Sequence, residues 1–111
     1  MTSSLELTEA ECAEGRTAPR VSLDDIKANI AAQYTFTGSA AIGPNVPGHP
    51  SLDILTICLV VLRNGFVIVG KSAPASAENF DYVLGAKLAY EDAIRQIWPL
   101  MGYALREELA A

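Results

Sequence analysis

The pair Asn64-Gly65 stands between two runs rich in β-branched and large apolar residues, Leu52 to Arg63 and Phe66 to Ser72. An Asn-Gly pair in that setting is a strong hairpin signal, because both central residues of a type I′ turn need positive φ, which Asn and Gly tolerate. A two-residue loop would pair Arg63 with Phe66, Leu62 with Val67, Val61 with Ile68, Val60 with Val69, Leu59 with Gly70 and Cys58 with Lys71. Near the turn both faces of such a hairpin are apolar, Val61 and Ile68 on one side and Leu62, Val60, Val67 and Val69 on the other. A chain of 111 residues has little material to cover both. The hairpin therefore predicts a need for a partner surface as well as a fold.

That length corresponds to one domain. Half the residues are apolar, yet the longest apolar run, Ile57 to Leu62, is of strand length and far short of a bilayer span. The opening Met1-Thr2-Ser3-Ser4, with acidic residues following, lacks the basic region and apolar stretch of a secretory signal, so cytoplasmic residence is expected. Cys12 and Cys58 have no metal-like spacing and read as free thiols. A net charge of −5 argues against binding a duplex phosphate backbone, which calls for a basic footprint. It permits nucleic-acid mimicry or docking on a basic protein, although solubility alone accounts for such a charge in many proteins.

Residues 1–20 carry Glu6, Glu9, Glu11 and Glu14 with no sustained apolar period, and are expected to form a flexible acidic tail ahead of one domain over 21–111. Ser22 is placed to cap a helix over about 23–34, with Asp24 and Asp25 at its positive end and Leu23, Ile26, Ile30 and Tyr34 as its buried stripe. Three Gly and three Pro between Gly38 and Pro50 predict an irregular loop there. Such a long loop is a place to look for function. Strands are expected at about 53–63 and 66–72, then a long helix over about 77–98, capped by Ser76, with Phe80, Val83, Ala86, Tyr90, Ala93 or Ile94, and Ile97 facing the sheet. Pro99 should end or sharply kink that helix. Tyr103 and Leu105 alternate like a strand, whereas Leu105 and Leu109 fit a helix; a third, C-terminal strand hiding one hairpin edge is the favoured reading. The fold class is α+β, an antiparallel hairpin packed on helices.

Catalytic signals are sparse. The single histidine, His49, sits between Gly48 and Pro50 with no Cys or carboxylate at ligand spacing, and no nucleophile elbow, P-loop or dinucleotide fingerprint occurs. Cys58 lies mid-strand without an activating neighbour, so the chain reads as non-enzymatic, with no metal and no cofactor.

Binding signals are stronger. Asn79, Phe80 and Asp81 fall at the start of the long helix, where free N–H groups can hold an anion and Phe80 could stack on a base; equally, Phe80 is core and Asp81 favours the helix start electrostatically. Lys71 could bring a cation to the same region, or simply guard a strand edge. Trp98 and Tyr103 flank Pro99 and could line a pocket with Arg106, a bidentate phosphate ligand, or could close a small core without any ligand.

The ordered series Leu55-Thr56-Ile57-Cys58, Leu62-Arg63-Asn64-Gly65-Phe66, Gly70-Lys71-Ser72-Ala73, Glu78-Asn79-Phe80-Asp81, Gly85, Ala89, Ala93 and Ile97-Trp98-Pro99-Leu100-Met101-Gly102-Tyr103-Ala104-Leu105 resembles a known family. It consists of small tailed-phage and prophage proteins labelled by gene products forty-nine and sixty-six of two podoviruses. The resemblance runs from about Val21 to Leu109; the acidic tail and the Gly/Pro loop lie outside its motifs. It implies a phage or prophage accessory protein of the host cytoplasm, neither a virion component nor a core replication enzyme, and implies no particular activity. By analogy with small phage proteins of similar make-up, one expectation is a counter-defence homo-oligomer that sequesters a cyclic or ADP-ribose-type nucleotide signal, using Lys71, Asn79, Phe80 and Arg106. The other is an inhibitor or regulator docked on a host or phage protein. A purely structural scaffold is the third.

Overall fold

The hairpin forms, with a loop one residue longer than expected. In the structure, a computed structural model describing residues 4–15 and 18–111, strand β2 (Thr56–Leu62) pairs antiparallel with β3 (Val67–Ser72) in the register Val61 to Val67, Val60 to Ile68, Leu59 to Val69, Cys58 to Gly70 and Ile57 to Lys71. The Gly65 N–H donates to the Leu62 carbonyl at 2.9 Å and the Leu62 N–H to the Phe66 carbonyl at 2.9 Å. Within the loop only Gly65 takes positive φ, +89°, and the Phe66 N–H donates to Asn64 Oδ1 at 2.9 Å. This is the three-residue hairpin loop that ends in a left-handed glycine, in place of the expected type I′ turn. Because side chains alternate, the one-residue shift exchanges the faces of β3 relative to β2. Val60 and Leu62 now share a face with Ile68, and Val61 with Val67 and Val69.

The shift sorts buried from exposed cleanly. Thr56, Cys58, Val60 and Leu62 on β2, and Ile68 and Gly70 on β3, are buried under the long helix α4 (Tyr82–Ala110). Gly85, Ala89 and Ala93, four apart, fall on one side of α4 and bring its backbone close to the sheet. Cysteine, small residues and isoleucine fill the space. Ile94 and Ile97 complete the core with Ile26 and Leu23 from α2 (Leu23–Ala28). Val83, placed on the buried stripe by its spacing, is 78% exposed.

The third strand is not C-terminal. Residues Ile30–Thr37 form β1, which pairs antiparallel with β2, from Tyr34 opposite Leu59 to Thr37 opposite Thr56, giving the sheet order β1-β2-β3. The predicted helix over 23–34 thus stops at Ala28. Its capping box is present, Ser22 Oγ accepting the Asp25 N–H and the Asp25 carboxylate accepting the Ser22 N–H. Beyond Asn29, however, the β-prone run Tyr34-Thr35-Phe36-Thr37 gains more from ladder bonds along β2 than from the sparse helical stripe.

The C-terminal segment is helical, α4 continuing through Pro99. Loss of one helical N–H there is offset by tertiary anchors: Trp98 Nε1 donates to the Val21 carbonyl at 3.1 Å, and Asn29 Nδ2 to Met101 Sδ at 3.6 Å. At its other end α4 begins at Tyr82, later than the predicted 77, because Ser76 caps a separate 3-10 turn, Ala77–Asn79. The Gly/Pro segment is likewise more regular than expected, with α3 (Gly38–Ala41) and a 3-10 turn, Pro50–Ile54, whose first N–H groups include one bonded to His49 Nδ1.

Where an acidic tail was expected, Ser4–Ala13 form helix α1, with Leu5 buried in the core. Glu9 ties it down, accepting from Arg20 Nη2 at 2.9 Å and from the Leu23 N–H at 3.1 Å, and Arg95 Nη2 donates to Ser4 Oγ at 2.6 Å. Residues 1–3 and 16–17 of that expected tail, with most of the Met1-to-Ser4 opening, lie outside the described residues.

Candidate functional site

Helix α4 covers one face of the sheet and leaves the other to solvent. Opposed residues of an antiparallel ladder share a face, so Ala32, Tyr34 and Phe36 of β1, Ile57, Leu59 and Val61 of β2, and Val67, Val69 and Lys71 of β3 form the face turned away from α4. Tyr34 is 59% exposed, Val67 49% and Val69 51%. Isolated exposed apolar residues are ordinary, but a contiguous block of them is not. The three strands contain no Asp or Glu, and Lys71 is their only charge. The Arg63 side chain leaves the turn towards α2, its Nε bonding the Ala28 carbonyl. On a chain of net charge −5, this face is apolar with one cation, Lys71, at its margin.

The first group of predicted site residues gathers at the start of α4. Asp81 is its N-cap, its carboxylate accepting from the Val83 N–H at 2.9 Å and the Leu84 N–H at 3.3 Å. Those donors, expected to be open to an anion, are engaged by the chain's own carboxylate. Asn79, Phe80 and Asp81 line a hollow of about 100 Å³ with Ser72 and Pro74, and Phe80 packs over Gly85. Lys71 is not among them. It stands opposite Ile57 on the outer face, not opposite Cys58, and its N–H donates to Asp92 Oδ2 at 3.0 Å.

The second group lies along the C-terminal half of α4. Trp98 borders a groove of about 420 Å³ with Cys12, Arg20 and Leu105. Tyr103, 70% exposed, and Arg106 do not border it. From Asp81 to Trp98 the helix rises about 26 Å. One copy of the chain therefore does not bring the seven predicted residues around one ligand.

A larger open groove, about 510 Å³, runs between α2 and the last turns of α4, with Arg20, Arg63, Asn29 and Met101 on its walls and Asp25 and Glu108 among its acids. Arg20 Nη2 is paired with Glu9, whereas its Nη1 is buried without a hydrogen-bond partner. The pairing holds the Glu9 carboxyl below its ordinary pKa and pushes the Arg20 guanidinium up. Arg63 Nε donates to the Ala28 carbonyl at 2.5 Å and its N–H to the Asn29 carbonyl at 3.0 Å. Sequence reasoning missed this groove. No spacing joins Arg20, Asn29 and Arg63, which meet only because β1 lies beside β2.

Burial pushes the Cys58 thiol up, and likewise the Tyr90 hydroxyl. Cys58 is fully buried beneath α4. Among the described residues no cluster of three or more His, Cys, Asp or Glu is arranged to hold a metal ion, and no helix is long and apolar enough to cross a membrane.

A family model described as the phage protein (N4 Gp49/phage Sf6 gene 66) family matches residues 21–109. No curated protein and no solved structure matches the chain.

Proposed function

We propose, starting from the chain's membership of the N4 Gp49/phage Sf6 gene 66 phage protein family, that it is a non-enzymatic accessory protein that acts by docking its outer sheet face on another protein. The observation that carries this reading is the block of Tyr34, Val67 and Val69, each about half exposed, on strands free of carboxylates. Partners that fit have an apolar centre bordered by an Asp or Glu complementary to Lys71. Aromatic residues are the usual energetic anchors of such a face, and Tyr34 and Phe36 of β1 supply them here. The host cytoplasm during infection is where such a partner would be met.

Affinity capture from infected cells tests the reading when done with three baits: the natural chain, Val69→Lys, and Leu100→Lys on the exposed side of α4. One protein held in stoichiometric amount by the first and third baits and lost from the second supports it. Equal recovery on all three, or recovery of none, overturns it.

A second reading, sequestration of a cyclic or ADP-ribose-type nucleotide in counter-defence, draws on the groove holding Arg20 and Arg63, whose volume of about 510 Å³ suits a ligand of that size. The Arg20 and Arg63 guanidiniums on its walls are donors for such a phosphate. Thermal unfolding with a panel of signalling nucleotides tests it. An upward shift abolished by Arg63→Ala supports it, and no shift with any member removes it.

A further inference from the structure

The two edges of the sheet are treated differently by the rest of the chain. On β3, α4 closes the edge: Asp92 Oδ2 accepts the Lys71 N–H at 3.0 Å, and Gln96 Nε2 donates to the Val69 carbonyl at 2.8 Å. These groups point away from β2, so the alternation of an antiparallel ladder assigns the outward-pointing backbone groups of β1 to Gln33 and Thr35. On that edge the only contact from α4 that bonds a backbone group is the Tyr82 hydroxyl, which donates to the Thr35 carbonyl at 3.2 Å. A carbonyl oxygen has a second lone pair, and among the described residues no side chain bonds the N–H groups of Gln33 and Thr35.

Edge strands are ordinarily protected by charge, proline or a bulge that turns the strand away. Strand β1 has eight residues with neither charge nor proline, and its one register shift lies at its start, between Ile30 and Ala32. The surrounding sequence is as bare, with no Asp, Glu, Lys or Arg anywhere from Ala28 to Leu52. Two copies of a chain with net charge −5 repel one another across most orientations. This segment is where they can approach without opposing charges of the same sign.

We infer that β1 pairs antiparallel with β1 of a second copy, joining two three-stranded sheets into one of six strands across a twofold axis at Tyr34. The strand's own sequence fits that axis. Gln33 and Thr35 of each copy then form hydrogen-bonded pairs with Thr35 and Gln33 of the other, and Tyr34 meets Tyr34 at a non-hydrogen-bonded position, where side chains come closest. Ala32 stands opposite Phe36, small against large, on the same face as the two tyrosines. An isologous contact of this kind closes on itself and stops at two. It also doubles the width of the apolar outer face, with the cationic Lys71 and the β3 edge at its two far margins. The inference concerns the edge and stands independently of what the face binds.

Amide hydrogen exchange of the purified full chain, measured by NMR at low and high protein concentration beside native mass spectrometry, tests it. The expected result is a species of twice 11.8 kDa together with exchange at Gln33 and Thr35 that slows at least tenfold with concentration. Gln33→Lys, a gatekeeping charge on an exposed position, should return the chain to monomer with unchanged circular dichroism. Gln33→Pro, which removes an edge donor that β2 does not use, should do the same. A monomer at all concentrations overturns the inference. So does a dimer in which the Gln33 and Thr35 amides exchange as fast as in the monomer, since stacking through the outer faces would leave the edge amides open. Loss of capture by Val69→Lys with the dimer intact, or the reverse, separates the fate of this contact from that of the docking face.

Discussion

Gly70 lies directly beneath Ala89: a Cβ on Gly70 would stand 2.1 Å from the Ala89 carbonyl oxygen and 2.8 Å from the Ala93 nitrogen. The contact is backbone to backbone, so neither side has a flexible group to move aside. It sets the separation of α4 from β3, and with it the direction in which β3 turns Val67, Val69 and Lys71. Gly70→Ala should therefore cost about 3 kcal/mol by overpacking, read as a lower urea midpoint. A change of less than about 0.5 kcal/mol, the level expected of an ordinary surface substitution, would mean that α4 does not pass this close.

Thr56, opposite Ser72 at the start of β2, is fully buried with Oγ1 lacking a hydrogen-bond partner. A buried hydroxyl without a partner has lost its hydration for nothing, and replacing it by a group of the same shape removes that cost. Thr56→Val should raise stability by about 1 kcal/mol, whereas Thr56→Ser should lower it by leaving a methyl-sized gap at a fully buried position. Urea unfolding of the pair decides the matter; destabilisation by valine would reveal a bond at Oγ1.

The attachment of α1 carries a pH dependence. Glu9, whose ordinary pKa is 4.5, is held lower by the hydrogen bond from Arg20 and then by that from the Leu23 N–H, and Asp25 is held below its ordinary 3.8 by hydrogen bonds from Ser22. A carboxylate with a depressed pKa in the fold contributes stability above its ordinary value and loses it as the pH falls through the folded value. Stability should thus fall on acidification below the ordinary carboxylate range. In Glu9→Gln the fall should be smaller and the stability at neutral pH lower. Denaturant midpoints at a series of pH values provide the check, and parallel curves for the two chains would contradict it.

The thiols should differ in reactivity. Cys58 is fully buried and its pKa is raised by desolvation, while Cys12 on α1 is half-buried. A thiol-reactive dye should label one cysteine per folded chain and two in denaturant. Fast labelling of Cys58 in the native chain would imply that α4 lifts from the sheet.

The family, the α+β class, the two hairpin strands and the existence of a long helix were all legible in the sequence, because Asn64-Gly65, alternating β-branched residues and helical spacing are local signals. The errors came where a non-local partner decided the outcome. Residues 30–37 read as the end of a helix because Ile30 and Tyr34 fit the stripe begun by Leu23 and Ile26; only pairing with β2 makes them a strand. Tyr34 thereby moved from expected core to exposed face. A left-handed glycine serves both the two-residue and the three-residue loop, and nothing in Asn64-Gly65 itself distinguishes them. Val83 fitted the stripe of α4 by period, yet the close approach at Gly70 selects the small residues Gly85, Ala89 and Ala93 for the sheet side. Pro99 failed to end α4 because Trp98 and Met101 are anchored by residues from the other end of the chain, Val21 and Asn29.

The docking claim is tested most directly by a photo-crosslinking residue placed at Val67 of the outer face and, in a separate chain, at Tyr103 of α4, each expressed during infection. The account predicts one crosslinked product of defined mass from Val67, formed with a second protein and absent from Tyr103. Equal products from both positions, or none from Val67, would contradict it.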